Sequence, residues 1–173
     1  MSATTIVKLA ASDATTTETV DVPEEVAVFS GTIKNMLADF GDENVTIPLP
    51  GIQREVLVKA MKFAEYHVEA AKLAAASTGE TDGDDAPRPV PGADEWSAAF
   101  MDTENATDQS TMVALMLAGN YLDMQPLLRA GTEHMAKRVK GKNAEEIRQE
   151  FKLKNMFTPE QEKALREKID AIE

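Results

Sequence analysis

The chain has 173 residues, a formal net charge of −12 and no cysteine. Apolar residues make up 43% of it, enough for a folded core in one domain, or in one domain with an appendage. The acidic balance argues against nucleic acid and anionic membrane surfaces as partners, because binding to either needs clustered lysine and arginine. The absence of cysteine excludes disulfides, thiolate nucleophiles and cysteine-ligated zinc.

The sequence also bears on where the protein is found. Its first residues lack the basic region and apolar run of a secretory signal. No apolar segment reaches the roughly 20 residues that a helix needs to span a bilayer. We therefore expect a soluble intracellular protein, located in the cytoplasm and the nucleus.

Two segments with alternating apolar residues predict an antiparallel hairpin near the N-terminus. The alternation covers residues 6–9 and 18–22, with residues 11–15 between them, and Pro23 ends the second strand. The residues expected to face one another are Val7 and Leu9 on the first strand and Val20 and Val22 on the second.

A helix, an edge strand and a longer helix are predicted to follow. Ser30 can cap the first helix, whose apolar residues recur at the spacing of one buried face, and Gly41 ends it. Pro48 confines the strand to a sheet edge, and Pro50 ends it. The longer helix covers residues 53–75. The expected apolar residues of the three elements are Ile33, Met36, Leu37 and Phe40; Val45, Ile47 and Leu49; and Val56, Ala60, Phe63 and Ala64.

Two polar inserts are predicted in the middle of the chain. The composition at about 77–93 is acidic, rich in glycine and proline and almost free of large apolar groups, which predicts a disordered loop. A helix resumes at 94–101, and a second polar insert covers 102–109.

The next two helices contain most of the remaining apolar residues. The first, from 110 to about 123, has two apolar faces, which favours either a central position between layers or a contribution to an interface. Gly119 on its first face could let another backbone come close. The second helix has Pro126 in its first turn and a basic end before Gly141. Their apolar residues are Met112, Leu115, Met116 and Leu122; Val113 and Leu117; and Leu127, Leu128, Met135 and Val139.

Two short helices with strong start signals close the chain. Asn143 and Glu146 cap the first, and Thr158, Pro159 and Gln161 form a capping box for the second. Short terminal helices have few neighbours, and burying a Leu, Ile or Phe side chain is worth roughly 1.5–3 kcal/mol. We therefore favour partner docking over self-packing for the apolar residues of this segment. They are Ile147, Phe151, Leu153, Phe157, Leu165, Ile169 and Ile172.

The order of elements, with strands first and then helices only, predicts the α+β class. The sequence contains no credible active site. His67 and His134 lie in helical patterns without a ligand spacing, so we expect structural or surface roles for them. Phosphate-binding glycine motifs and a serine nucleophile elbow are absent. The acidic run at 82–85 lacks the closing glutamate and flanking helices of a calcium loop. We expect no catalytic residue, cofactor or bound metal.

Several motifs together resemble one family. They are Val-Lys-Leu-x-x-Ser-Asp at 7–13, Val-x-Ile-Pro-Leu-Pro at 45–50, Trp96 after an acidic loop, Ala-Gly-Asn-Tyr-Leu-Asp at 118–123, Lys-Gly-Lys-x-x-Glu-Glu-Ile-Arg at 140–148 and Lys-Asn-x-Phe-Thr-x-Glu at 154–160. On these motifs the chain resembles the S-phase kinase-associated adaptor family, which links F-box proteins to cullin in SCF ubiquitin ligases. The similarity runs nearly from end to end.

The resemblance implies a BTB/POZ fold, a small sheet flanked by helices, over 1–139 and a two-helix F-box-binding extension over 140–173. It implies a non-enzymatic adaptor in protein ubiquitination, with F-box proteins and a cullin as partners and a RING protein and a ubiquitin-conjugating enzyme as indirect ones. The implied F-box contacts are Ile147, Phe151, Leu153, Asn155, Phe157, Leu165 and Ile169. The implied cullin contacts are Met116, Asn120 and Tyr121.

Three features depart from the family pattern. The region 168–173, toward the end of the last helix, lacks a tryptophan that completes the F-box contact in many members. Asn143 and Ala144 replace the Thr-Pro pair that carries a hydroxylated proline in some members. The 102–109 insert is longer than usual. Two alternative functions stay open: an F-box partner in a cullin-free structural complex such as a kinetochore, and a self-associating BTB scaffold.

Overall fold

The computed structural model describes residues 5–12, 17–40, 46–78, 92–105, 109–154 and 157–170. In chain order the elements are β1 (Ile6–Ser12), β2 (Thr17–Pro23), α1 (Glu24–Ala27), α2 (Gly31–Phe40), β3 (Thr46–Pro50), α3 (Arg54–Thr78), α4 (Ala93–Asn105), α5 (Gln109–Tyr121), α6 (Gln125–Val139), α7 (Ala144–Glu150) and α8 (Pro159–Asp170). The predicted α+β class is confirmed. The chain divides into two compact units, Met1–Lys137 and Arg138–Glu173.

The sheet of the N-terminal unit has three strands in the order β2-β1-β3. The antiparallel pairing of β1 and β2, with Val7 opposite Val22 and Leu9 opposite Val20, confirms the predicted hairpin. β3 is an edge strand, as Pro48 indicated, and it pairs parallel with β1. The parallel pairing was not predicted. Residues 13–16, Gly41 and Val45 lie outside the described residues.

Most of the predicted apolar faces form the core of the N-terminal unit. Leu9, Ile47 and Leu49 are fully buried, and the predicted face residues of α3 are buried as well. On α2, Ile33 is buried and Met36 and Leu37 are partly buried, but Phe40 is exposed, so its predicted burial is wrong. Phe40 is the last residue of α2, roughly 10 Å along the axis from Ile33, and the helix has passed the core at that point.

The two predicted inserts are shorter than the sequence indicated. α3 continues to Thr78 and α4 begins at Ala93, so only residues 79–91 of the predicted loop lie outside the described residues. The helical propensity of alanine at 74–76 accounts for the extension of α3. α4 also runs on to Asn105, so most of the predicted 102–109 insert is helical. Asp102 Oδ1 lies 3.1 Å from His134 Nδ1, which ties this part of α4 to α6.

An aromatic cluster, which was not predicted, joins α3 to α4. The rings of Tyr66 and Trp96 stack with their centroids 3.7 Å apart, and Phe63 meets the edge of Phe100 at 5.6 Å. His67 lies among these rings, with its Nε2 3.2 Å from the Ser97 hydroxyl oxygen. Such aromatic pairs stabilise a core beyond the area they bury. The cluster fixes α4 against the long helix of the unit.

Candidate partner-docking surfaces

Three apolar residues of α5 point away from the core of the N-terminal unit. Val113, Leu117 and Tyr121 recur at four-residue spacing and are all exposed, Leu117 to 65% of its surface. We call these three residues the α5 strip. Asn120, beside Tyr121, is also exposed. Of the two interpretations of this helix, the strip fits the one in which α5 contributes to an interface.

The α5 strip borders a depression of about 550 Å³ on the surface of the N-terminal unit. Its opposite wall is the segment between β3 and the first turn of α3, including Pro50, Ile52 and Val56. Leu117 and Tyr121 line the same depression. A concave surface with partly apolar walls and an adjoining exposed apolar strip can receive the apolar side of a partner helix.

Hydrogen bonds from the start of α2 hold the end of α5 that carries Tyr121. The Ser30 hydroxyl donates to the Leu122 carbonyl at 2.6 Å, and the Thr32 hydroxyl donates to the Tyr121 carbonyl at 2.7 Å. The helix then ends in a Schellman turn, with Asp123 at φ +50° and the Met124 amide donating to the Gly119 carbonyl at 2.8 Å. These bonds give Tyr121 a fixed position before any partner arrives.

The residues implied as cullin contacts do not all lie on this surface. Asn120 and Tyr121 are exposed, whereas Met116 is half-buried and packs toward Gly131 of α6. A Cβ atom on Gly131 would lie only 2.6 Å from Met116 Cγ, so the glycine makes room for this side chain. Val113 and Leu117 also lie on this surface and were not predicted as contacts. Their four-residue spacing with Tyr121 is the sequence pattern that could have identified them.

Both helices of the C-terminal unit begin as the sequence predicted. Asn143 Oδ1 accepts hydrogen bonds from the Glu145 and Glu146 amides at 3.0 and 2.9 Å, and Glu146 Oε2 accepts from the Asn143 amide at 2.7 Å. The Thr158 amide donates to Gln161 Oε1 at 3.0 Å, and the Gln161 amide donates to Thr158 Oγ1 at 3.3 Å. The two capping boxes are confirmed.

Val139, at the end of α6, is 38% exposed. After α7, three further large apolar side chains among the described residues are exposed: Leu153 to 56%, Phe157 to 48% and Leu165 to 47%. We call them the tail apolar set. Ile147 is half-buried, while Asn155, Ile172 and the side chain of Ile169 lie outside what the structure describes. Large apolar side chains left exposed in this way are typical of a binding surface.

Phe151 differs from the tail apolar set, because it is only 8% exposed. The guanidinium carbon of Arg138 lies 5.1 Å from the centre of its ring, which is a cation–π contact inside the C-terminal unit. Phe151 therefore packs within its own chain. It also forms the C-cap of α7, immediately before the turn that carries Leu153.

A larger groove of about 1010 Å³ lies between α3, α4 and α6 of the N-terminal unit. Its walls include His67 and His134, and several of its charged side chains are paired, as in the 2.8 Å contact of Arg129 with Glu133. Within the described ranges, no group of three or more histidine, aspartate or glutamate side chains is arranged to hold a metal ion. No helix among those same ranges is long and apolar enough to cross a membrane.

A small α+β unit followed by a separate helical unit, each with exposed apolar residues, defines a protein-interaction module of the BTB/POZ type. Family models agree with this class. The model of the tetramerisation domain of the Skp1 family matches residues 5–69, and the model of the dimerisation domain of the same family matches residues 125–172.

Known relatives extend the match over most of the chain. Suppressor of kinetochore protein 1 of Schizosaccharomyces pombe is 38% identical over 167 residues, covering 96% of this chain and 97% of the relative. The E3 ubiquitin ligase complex SCF subunit sconC of Arthroderma benhamiae is 40% identical over 147 residues, 85% of this chain and 84% of the relative. SKP1-like protein 1A of Arabidopsis thaliana is 39% identical over 151 residues, 86% and 87% of the two chains. The chain belongs to the Skp1 family, which confirms the resemblance.

Proposed function

We propose that this chain is a non-enzymatic adaptor that links F-box substrate receptors to a cullin in an SCF-type E3 ubiquitin ligase. The observation that carries the proposal is the presence of exposed apolar residues on each of the two compact units. Each unit thereby offers a surface of its own to a different partner. Family membership supports this function, as does the name of the sconC relative, a subunit of an SCF complex.

The α5 strip is our proposed cullin-binding surface. Asn120 and Tyr121 stand at its C-terminal end, and Leu117, at its centre, is the most exposed of its apolar side chains. Met116, which the resemblance implied as a contact, acts in this proposal as packing support behind the helix. A partner helix laid along the strip would bury the aliphatic and aromatic side chains together and close the depression beside them.

The C-terminal unit is our proposed F-box-binding surface. Leu153, Phe157 and Leu165 make direct apolar contacts in this proposal, together with Ile147 and the positions Asn155 and Ile169. Phe151 supports the turn from inside. Burial of three large apolar side chains contributes roughly 1.5–3 kcal/mol each before the costs of association are subtracted. Because these side chains are already about half covered, the gain is about half of that range, so the other contacts of this unit have to contribute as well.

The adaptor's contribution to ubiquitination is positional. It brings a substrate receptor and, through the cullin, a RING protein and a ubiquitin-loaded conjugating enzyme into one assembly, which raises the effective concentration of the reacting groups. No residue of the adaptor takes part in bond making in this mechanism, and no cofactor is needed. We propose that it acts in the cytoplasm and the nucleus.

Two double variants test the assignment of the two surfaces. Asn120→Lys with Tyr121→Lys places two cations on the α5 strip and should weaken binding to a purified cullin N-terminal domain while sparing binding to a purified F-box domain. Leu153→Ala with Phe157→Ala should have the reverse effect, because a truncated apolar anchor typically costs about 2 kcal/mol or more. Each variant serves as the control for the other in titration calorimetry.

The result that would reject the two-surface proposal is loss of both partners in both variants while circular dichroism shows them folded. Binding of F-box domains without any cullin binding by the wild type would favour the cullin-free alternative. A self-associating scaffold predicts an oligomer of the pure chain at micromolar concentration, which light scattering measures, whereas a monomer supports the adaptor.

A further inference from the structure

Glu150, the last residue of α7, is the centre of an ion-pair network inside the C-terminal unit. Its Oε1 accepts hydrogen bonds from Arg138 Nε at 3.0 Å and Nη2 at 2.8 Å, and its Oε2 accepts one from Lys142 Nζ at 2.9 Å. The side chains of Arg138, Glu150 and Lys142 are only 26%, 31% and 34% exposed. Water therefore screens these charges less than it screens an open surface pair.

The network links the residues before α7 to the end of that helix. Arg138 lies in the last turn of α6, Lys142 follows in the connection to α7, and both contact the same carboxylate. The Arg138 guanidinium also lies over the ring of Phe151, the next residue after Glu150. One guanidinium thus holds a carboxylate and a neighbouring aromatic ring in place. We call Arg138, Lys142, Glu150 and Phe151 the Glu150 clamp.

The backbone turn that follows the clamp is held in an uncommon conformation. α7 ends in a Schellman turn, in which the Leu153 amide donates to the Arg148 carbonyl at 2.8 Å and the Lys152 amide donates to the Gln149 carbonyl at 3.2 Å. Lys152 has φ +50° at the position where glycine is usual. A left-handed backbone conformation is unfavourable for lysine, and it persists only where the surrounding contacts require it. Among the described contacts, the Glu150 clamp is the set adjacent to this turn.

We propose that Glu150 is a positioning residue for F-box capture, and that its clamp holds the turn at 151–153 ready for the partner. The inference rests on the proposed function of the C-terminal unit. The clamp keeps Phe151 inside and leaves Leu153 exposed on the turn. A partner that meets a turn already in its bound conformation loses less conformational entropy on binding, so its affinity is higher.

The charge state of Glu150 agrees with this role. Hydrogen bonds from Lys142 and then from Arg138 lower the pKa of its carboxyl group below the ordinary value. Glu150 is therefore ionised at neutral pH and attracts both cations. Salt weakens such attraction, since the Debye length falls from about 10 Å at 0.1 M to about 3 Å at 1 M. F-box affinity should depend on salt through this residue.

Glu150→Gln in the full chain tests the proposal, because glutamine keeps the shape and removes the charge. We expect the Kd for a purified F-box domain to rise about 10-fold in about 0.1 M sodium chloride, as the turn loses its pre-organisation. In about 1 M salt the difference from the wild type should shrink to about 2-fold. Glu133→Gln, which removes the exposed pair with Arg129 in the other unit, is the matched control and should leave the Kd unchanged.

Hydrogen exchange of the free chain provides a second readout. The amides of Lys152 and Leu153 should exchange faster in Glu150→Gln than in the wild type, while amides of α3 keep their rates. Two residues that act as one unit give a double variant that loses less binding free energy than the two single variants lose together. We therefore expect the loss for the F-box domain in Arg138→Gln combined with Glu150→Gln to be smaller than the sum of the two single losses. A loss in the double variant that equals or exceeds this sum would contradict a shared clamp.

The outcomes separate the two proposals. If the wild type binds the F-box domain and Glu150→Gln binds it equally well at both salt concentrations, the clamp has no positioning role. Equal weakening at both salt concentrations with unchanged exchange would also overturn it, because the effect would not come from a charge that orders the turn. If the wild type itself does not bind the domain, the proposed function fails, while the exchange rates still report whether the clamp orders the turn.

Discussion

The buried hydroxyl of Ser30, at the start of α2, makes two hydrogen bonds. Ser30 was predicted as a helix cap, and its hydroxyl oxygen does accept a hydrogen bond from the Ile33 amide at 3.2 Å. The same buried hydroxyl donates to the Leu122 carbonyl, a residue 92 positions away. Capping follows from local residue types, whereas the second bond depends on where α5 ends beside α2.

The stability of the fold should depend on pH through His67. Burial among the rings of α3 and α4 lowers its pKa from the ordinary 6.5, and the Asp94 carboxylate raises it by a smaller amount. The unfolded chain therefore binds the proton more readily than the folded one. The contribution of neutral His67 to stability is fully present above pH 6.5. It is lost as the pH falls from there through the lowered pKa of the folded state.

The measurement compares the wild type with His67→Phe, which keeps a ring in the aromatic cluster and removes the titrating group. We expect urea unfolding at about pH 7.5 and about pH 5.5 to show a loss of stability in the wild type that is smaller in the variant. Identical losses in the two proteins would mean that His67 does not contribute to the acid sensitivity of the fold.

At the scale of elements, the interior of each helix and strand was more predictable than its ends. Apolar periodicity identified the β1–β2 register and the buried face of α3, because period and burial have the same cause. The ends depend on neighbours that a local pattern does not show. Phe40 lies beyond the core, and Asp102, in the part of α4 that follows Met101, contacts His134 of α6. The parallel pairing of β3 with β1 likewise follows from the path of the chain.

The contact between α5 and α6 depends on a glycine, which leads to a prediction about these two helices. A Cβ atom at Gly131 would lie 2.6 Å from Met116 Cγ, well inside van der Waals contact. Alanine gains about 1 kcal/mol in helix propensity over glycine, but overpacking costs about 1–3 kcal/mol. We expect Gly131→Ala to lower the free energy of unfolding by about 1 kcal/mol in urea titrations.

A double-mutant cycle with Met116→Ala gives this prediction its control. Truncating Met116 removes the atom that the new methyl group would meet, so Met116→Ala should cost less in the Gly131→Ala protein than in the wild type. Additive effects of the two substitutions would show that the methionine side chain moves aside without cost. The close approach would then contribute nothing to the packing of α5 on α6.

For the protein as a whole, the sequence predicted that the C-terminal segment leaves apolar side chains uncovered, but it did not predict which of them the chain covers. The shortage of neighbours around the last two helices led to the expectation of a docking surface, and Leu153, Phe157 and Leu165 are exposed. Phe151 is instead covered, because the guanidinium of Arg138, at the end of α6, lies over its ring. A one-dimensional pattern shows that apolar residues share a stripe, but it does not show which of them the chain itself covers.

The division into two compact units leads to a prediction about how binding energy is distributed. A ligand that binds only the native state stabilises what it contacts by RT ln(1 + [L]/Kd), or about 2.7 kcal/mol at 100 times the Kd. If the F-box domain docks on the C-terminal unit alone, amides of α7 that open locally should gain protection of this order, about 100-fold in exchange rate. Amides of α3 in the N-terminal unit should keep their rates. Hydrogen exchange with mass spectrometry measures both regions in one sample. The Leu153→Ala, Phe157→Ala protein is the control, in which α7 should gain no protection from the F-box domain. Equal protection of α3 and α7 by the F-box domain would mean that the two units unfold together. F-box binding would then also stabilise the unit that carries the proposed cullin-binding surface.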